Sequence, residues 1–595
     1  WNISITRLRE RSPASVRLLQ LCAFMAPEPI SSHLLYSREM LDELKKVDPS
    51  LQESLMLGRV VREIGRFALA KVDQASTSIQ VHRLVQAVIR SRLTEEEQQH
   101  ARHVVHTMLA GARPPGDEPI DAAETWPRFA IIWPHLNACE LRDCHEPEPR
   151  RLFIDRVRYL WKRGDFPGAR KLAEELVKHW HETLGEDDLQ YMYLRGQLAN
   201  VLRSQGRYLE AREVDADVLA RQLRVLGPTH PHTYVTTSSL ASDLAALGEY
   251  TEAVKLAREA HQGFRQIFEE SNSRTLNAAN NLALALRMVG HYTEARDIDQ
   301  DTYARRREVL RPDHPYTLLS AQGLGRDLRE VGHYTDSVAV LSEAYETHKR
   351  ILGKDFPGTL NCAKSLAVSL RRAGQFVDAH RLTRATLTQY RTQYTRDKYP
   401  DPIPDSLACE LNLAADLYAA DEPDRARETV KSVLEHYVKV PGEQHPYTQA
   451  ARNNLGIYLW ACGDAEEAEA VFQQVTERMA ATLGEEHPHT LFARANHANV
   501  LAEQGRAEEA WALEEQTRHI LKAVLGPQHP ETLAVVSNSA LTLRALGRED
   551  EAHRLREATL SDLRRLGRQL GEGNGITRLV GQRRRVYRDL EPLTV

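Results

Sequence analysis

The chain has 595 residues, with 83 Asp and Glu against 78 Lys and Arg, a formal net charge of -5, 42% hydrophobic and 27% charged residues, and six cysteines. That length holds roughly four domains' worth of folded material. The balanced charge disfavours a general nucleic-acid binder, which needs a basic surplus, and so few cysteines exclude a disulfide scaffold and fit a reducing cytoplasm. No run approaches the roughly 18 apolar residues of a membrane span. The start, Trp1-Asn2-Ile3-Ser4, has neither a starting Met nor a signal-peptide pattern, so a fragment with further material upstream is expected.

Residues 1–93 predict a small domain. Ser12-Pro13-Ala14 opens a helix through Leu18, Leu21 and Phe24, Pro29-Ile30 opens a second near Leu34 and Leu35, and a third runs through Leu51, Leu55 and Val60-Val61. Phe67 to Val72 and Ser78 to Val81 read as two short strands around a polar turn at Asp73 to Ser76, and a last helix begins at His82. Two strands after three helices make a winged-helix pattern. Residues 18–30, with Val81-His82-Arg83-Leu84-Val85-Gln86, resemble the winged-helix domain of NB-ARC-type STAND ATPases. That resemblance implies that His82 senses the β-phosphate of bound ADP in the intact protein. Here the family's Met-His-Asp is Val-His-Arg, so only the histidine carries over, and plain capping of its own helix stands as the alternative. No Gly-x-x-x-x-Gly-Lys-[Ser/Thr] occurs in the sequence. A nucleotide domain binding ADP or ATP is therefore expected upstream, and no cofactor or metal in these residues.

Residues 94–147 predict a helical bridge, with one helix over about Glu95 to Leu109 and another from Thr125-Trp126-Pro127 through Leu136. Its Trp-Pro pairs resemble the bacterial NB-ARC/TPR group. Cys139, Cys144 and His145 lack a second ligand pair, so a metal site is not expected there.

From residue 148 the chain is periodic. Glycine recurs every 42 residues at Gly164, Gly206, Gly248, Gly290, Gly332 and Gly374, and again at Gly463, Gly505 and Gly547, with Asp421 in the seventh place. Five residues after each stands a small residue, such as Ala211, Ala253 or Ser337. Apolar spacing of three and four on both sides predicts two helices per repeat. Glycine suits the left-handed helix end, and the small residue allows close helix approach. A linker, Leu-Gly-x-x-His-Pro-x-Thr, recurs at 226–233, 483–490 and 525–532; its proline starts the next helix and its histidine is read as a cap. This grammar resembles the tetratricopeptide repeat (TPR) in its 42-residue, kinesin light chain-like form. It implies an all-α fold of about ten helix-turn-helix repeats over 148–567, stacked as a right-handed superhelix with a concave groove. An insertion with three prolines near 395–405 is a hinge or a rigid elbow.

Nine residues before each punctuator runs a column without apolar side chains: Asp155, Gln197, Ser239, Asn281, Gly323, Ser365, Asn412, Asn454, Asn496 and Asn538. In TPR proteins this column faces the groove, and its amides hold a peptide backbone, donating and accepting at once. Asn281, Asn412, Asn454, Asn496 and Asn538, with Arg452 and Arg494, are therefore the candidate peptide-binding residues. The alternative is that the column bonds the neighbouring repeat and sets register. Two residues after the punctuator stand Phe166, Tyr208, Tyr250, Tyr292, Tyr334 and Phe376, then Pro423, Ala465, Ala507 and Glu549, so the last four repeats pack differently.

Residues 568–595 read as a tail. Gly571 to Gly575 is expected to be flexible, and Gln582 to Pro592 holds a basic cluster followed by acids and proline. That end resembles actinobacterial TPR proteins of the FxSxx-COOH peptide-maturation system, which implies a peptide and a maturase nearby; a solvated cationic tail is the alternative. Four functions remain. The first is a scaffold and sensor arm of a STAND-type signalling ATPase, with a peptide or protein ligand in the groove. The others are a stand-alone adaptor presenting a substrate peptide to a maturation enzyme, a transcriptional regulator, and an enzyme, for which no nucleophile and base cluster stands out.

Overall fold

Proline-initiated, glycine-terminated helix pairs account for most of the chain. The computed structural model describes residues 2–73, 78–116 and 118–592 and divides into two compact units, Trp1–Leu198 and Ala199–Val595. Among the described residues no helix is long and apolar enough to cross a membrane.

In the first unit, Ser12 caps the helix Pro13–Cys22 by accepting the Ser15 N–H. Its buried Leu18, Leu19 and Leu21 face the core. The expected second helix is different. Ile30–Ser31 forms a strand (β1), followed by the short helix Ser32–Leu35, and a further helix, Arg38–Lys45, buries Met40, Leu41 and Leu44. The third expected helix starts late, at Leu57, after a 3-10 turn over Ser54–Met56. Strands Lys71–Asp73 (β2) and Ser78–Gln80 (β3) pair antiparallel, and β1 adds to β3, so the sheet order is β1-β3-β2. Ile30 opposite Ile79, both fully buried, explains why that third strand forms. Of the predicted turn at 73–76, residues 74–76 lie outside the described residues.

His82 is the N-cap of helix Arg83–Arg90, its Nδ1 accepting the Leu84 N–H at 3.2 Å. Buried Gln86 donates to the carbonyls of Cys22 and Met25, which ties this helix to Pro13–Cys22. A reciprocal Thr94–Glu97 capping box starts Glu95–Gly111. The bridge helix expected through Leu136 is instead broken into Trp126–Ala130 and a 3-10 turn at Trp133–His135, because each proline removes an N–H and restarts the turn. His135 is buried and accepts the Ala26 N–H at 3.1 Å. Burial pulls its pKa down to about 4, keeping the imidazole a neutral acceptor.

Ten helix pairs follow, from Pro147–Lys162 with Phe166–Leu184 to Pro530–Ala545 with Glu549–Arg565. The helix Leu189–Ser204 contains the division between the units, and repeats three to ten lie wholly in the second. The punctuating glycines have positive φ, +84° at Gly248 for example, and Asp421 adopts the same region at +64°. The small column is fully buried at Ala211, Ala253, Ala295, Ala426, Ala468 and Ala510, where a larger side chain would push the paired helices apart. First helices are buried nearly all round, as in Pro530–Ala545, whereas second helices bury one stripe, as Ala552, Thr559, Leu560 and Leu563 do in Glu549–Arg565. First helices therefore line the inside of the second unit.

The second unit coils tightly enough for one superhelical turn to rest on the previous one. His445, His487 and His529 each cap their own helix through Nδ1, and each Nε2 meets a carbonyl 199 residues earlier, of Ala246, Met288 and Glu330, at 2.9 Å. Because Nδ1 accepts, Nε2 carries the proton and donates. Burial pulls these histidines down to about 4, about 3 and about 4, which keeps that neutral tautomer. The linker prolines press on the earlier punctuators: a Cβ on Gly290 would lie 2.4 Å from Pro488, and one on Gly332 would lie 2.5 Å from Pro530. At the insertion Tyr399 and Ile403 are buried, Tyr399 packs edge-on to Tyr394, and Asp405 pairs with Lys364 at 2.5 Å. The segment is packed as an elbow.

The flexible run expected at Gly571 to Gly575 is corrected. Helices Gly567–Leu570 and Gly575–Gly581 flank it, Asn574 caps the second and donates to the Arg372 carbonyl at 2.8 Å, and the backbones of Gly374 and Gly573 touch. Only residues without a Cβ allow that approach.

Candidate functional site

The inner face of the last repeats holds an extended segment of this chain's own tail. Its rungs are bidentate. Asn538 accepts the Val586 N–H and donates to the Val586 carbonyl, both at 2.9 Å. Asn496 makes the same pair with Arg588, both at 2.9 Å, and Asn454 with Leu590 at 2.7 and 2.9 Å. Alternate residues of the segment thus meet successive repeats, in reverse repeat order. The period of two is that of an extended strand, whose like-facing residues are about 6.6 Å apart. Two further amides reinforce the rungs: Asn499 donates to the Val586 carbonyl at 2.9 Å and Asn453 to that of Arg588 at 3.0 Å. Helical spacing puts Asn499 on the face of Asn496; that signal, and the Asn453-Asn454 doublet, were present in the sequence but not used.

Side chains add charge pairing. Asp589 bonds Arg371 at 3.0 Å and pairs with Arg372 at 2.8 Å, and Glu591 meets Arg329 at 2.7 Å. Burial pushes the Asp589 carboxyl up, but Arg372 and Arg371 outweigh it and hold it below the usual range. Arg588 pairs with Glu531 at 3.0 Å and lies over the Phe492 ring; Arg585 pairs with Glu514 at 3.0 Å. Burial raises Glu531 to about 7, against the pull of Arg372. Leu590 packs with Phe492, Val535 and Leu491. The remaining cavity around 588–591 is only about 10 Å³.

These arginines form a column that sequence reasoning missed. Arg203, Arg287, Arg329 and Arg371 stand at multiples of 42. Each reaches the next repeat: Arg203 to Asp243 at 2.7 Å, Arg287 to Asp327, and Arg371 to Asp416 at 2.8 Å. Arg329 meets Ser369 at 3.4 Å in place of an aspartate, pairs with its neighbour Glu330 at 3.0 Å, and gains a second carboxylate from Glu591. A buried guanidinium without a counter-charge is costly.

The other predicted residues are placed as follows. Asn281 donates to Ser238 Oγ of the preceding repeat at 2.9 Å, a register contact. The Asn412 carbonyl accepts from Arg371, while its buried Nδ2 has no hydrogen-bond partner among the described residues. Arg452 and Arg494 pair with the linker carboxylates Glu443, at 2.6 Å, and Glu485. Their position two residues before the asparagines turns them toward the linkers. In the first unit, exposed His82 lies on a cavity of about 630 Å³ also lined by Pro27, Lys71, Gln80 and Arg83.

A family model described as tetratricopeptide repeat matches residues 192–266, 233–308, 274–349, 406–481 and 447–523, and a second so described matches 154–223. Residues 6–98 match a domain of unknown function (DUF7779). No curated protein matches. Similar crystal structures include a putative kinesin light chain of Podospora anserina with nearly identical TPR-like repeats (24% identity, 35% of this chain and 99% of that one, TM-score 0.29). Others are a signal transduction ATPase with numerous domains (STAND) carrying a TPR sensor, from Pyrococcus horikoshii (12%, 71% and 63%, 0.40), and a Rap protein complexed with competence and sporulation factor (10%, 70% and 99%, 0.42). The chain carries tetratricopeptide repeats, whose fold is that of a protein–protein interaction scaffold.

Proposed function

We propose that the repeats grip an extended peptide or protein segment by its backbone and that the chain is the sensor arm of a STAND-type signalling ATPase. One observation carries the first part: Asn454, Asn496 and Asn538 each satisfy both backbone groups of an extended residue. A grip on N–H and C=O tolerates many side chains, which suits a receptor groove. For the second part, residues 1–93 act as the winged helix, and His82 with its neighbouring cavity faces the ADP or ATP of an upstream domain. Ligand capture then shifts the resting state only if the open form binds the ligand better.

The test is a pull-down of partners with the full chain and with Asn454, Asn496 and Asn538 changed to Ala, folding being checked by circular dichroism. A partner captured by the first and lost by a folded second supports the groove. Capture by both removes it. For the switch, His82→Ala in the protein joined to its nucleotide domain is expected to loosen ADP; unchanged ADP affinity removes that role.

A further inference from the structure

The tail is built as a ligand. Its backbone is held at three rungs, its acids neutralise Arg329, Arg371 and Arg372, and Glu591 stands where the Asp column is interrupted by Ser369. Its grip is nevertheless incomplete. The step of two residues per repeat that joins Val586 to Asn538, Arg588 to Asn496 and Leu590 to Asn454 assigns the next position, 592, to Asn412. Residue 592 is proline, which has no N–H to give to Asn412 Oδ1, and Asn412 Nδ2, the donor that would meet the carbonyl of a fourth rung, is buried without a hydrogen-bond partner among the described residues. The fourth rung is thus present on the receptor and unused by the tail.

Resting on the groove reading above, we propose that residues 585–592 are a tethered competitor that fills the groove until an extended acidic partner displaces it. The partner carries two acids flanking an apolar residue, as Asp589-Leu590-Glu591 do, and a residue other than proline one step beyond. The acids meet Arg371, Arg372 and Arg329, the apolar residue enters the Leu590 site beside Phe492, and the residue beyond offers its N–H to Asn412 Oδ1 and its carbonyl to Asn412 Nδ2. Without any occupant the amides of Asn454, Asn496 and Asn538 would lose both backbone partners and Arg372 the Asp589 carboxylate, while Arg371 keeps Asp416 and Arg329 keeps Glu330, so exchange of one acidic segment for another costs less than emptying the groove. A tethered tail acts at high effective concentration; the extra rung shifts the exchange toward a free partner, and the partner's own concentration supplies the rest.

The probes are two synthetic peptides with the sequence 582–592 extended by two glycines, one native and one carrying Pro592→Ala. The receptors are the full chain and the full chain with Asp589→Lys and Glu591→Lys, which weakens the tail's ion pairs. Fluorescence anisotropy is expected to show tighter binding to the variant than to the wild type. The Pro592→Ala peptide is expected to bind about fivefold better than the native one, the worth of about one hydrogen bond, and Asn412→Ala should erase that difference. Equal affinity for both receptors overturns the competition; equal affinity of both peptides overturns the fourth rung. Binding of neither peptide by a folded variant overturns tail mimicry, while the groove keeps its own pull-down test.

Should the variant not fold, hydrogen exchange on the wild type decides. Excess Pro592→Ala peptide is expected to speed exchange of the chain's own Val586, Arg588 and Leu590 amides. No acceleration overturns the proposal.

Discussion

Repeats two to six and repeats seven to ten share one grammar but differ at a single column. The earlier group has Tyr208, Tyr250, Tyr292, Tyr334 and Phe376 two residues after the punctuator; the later group has Pro423, Ala465, Ala507 and Glu549. Three aromatics of the first group lie toward the next layer of structure. Tyr250 packs with Leu483, Tyr334 donates to Glu531 at 3.2 Å, and Phe376 lies under Arg578 of the terminal helix. Among the described residues no later turn packs on the last group, and Glu549 is exposed. An aromatic is useful where it buries area between turns and is a liability on an open surface. The column therefore records the superhelical seam rather than the fold of the single repeat.

The largest effect should come from protonating the seam. His445, His487 and His529 have pKa values of about 4, about 3 and about 4 in the fold, below the ordinary histidine value. Between these and about 6.5 the unfolded chain binds protons that the fold does not, so stability falls with pH through that window and levels off below it. At pH 5 the loss is about 2 kcal/mol per histidine. Urea midpoints at pH 7 and pH 5 check this; a flat profile would show that the seam histidines take up protons in place. Next is Gly290→Ala against Gly505→Ala. Both have positive φ, but a Cβ on Gly290 meets Pro488 while one on Gly505 meets nothing. About 4 kcal/mol is expected at the first and about 1 kcal/mol at the second. Equal urea midpoints for the two would break the distinction between seam and open end.

His487→Ala removes a cap and the bond to the Met288 carbonyl. About 2 kcal/mol is expected, against about 1 kcal/mol for the half-buried cap His230→Ala. Native-state hydrogen exchange can localise the difference, since only the first should expose amides near Met288. The smallest contrast lies within the aromatic column. Tyr334→Phe loses the Glu531 bond and should cost about 1 kcal/mol, whereas Tyr292 has a buried hydroxyl with no hydrogen-bond partner among the described residues, so Tyr292→Phe should cost about 0 kcal/mol or stabilise. Thermal melts of the two variants read this directly.

Much of the fold was legible in residues that act locally. Gly248 ends a helix because of its own φ, His445-Pro446 starts one because of its own cap, and Ala253 permits approach of the helix paired with it. The candidate site was legible in part: Asn454, Asn496 and Asn538 could be singled out by their period, but Arg452 and Arg494 could not be assigned a direction, since the competing Glu443 and Glu485 sit in linkers whose path is not periodic. The third strand at Ile30 and the broken helix after Trp126 escaped for a related reason. Their partners, Ile79 and His135 with Ala26, are distant in the chain.

By itself the sequence determined the 42-residue unit, its two helices, its caps and the polar inner column, because these depend on contacts within one repeat or between neighbours. Only the tertiary structure decided which repeats meet across the seam and what fills the groove. The seam is the sum of small rotations accumulated over five repeats, which brings His445 to Ala246 and Pro488 to Gly290. The occupant is chosen by that same closure, which brings Asp589 and Glu591 to arginines more than 200 residues earlier.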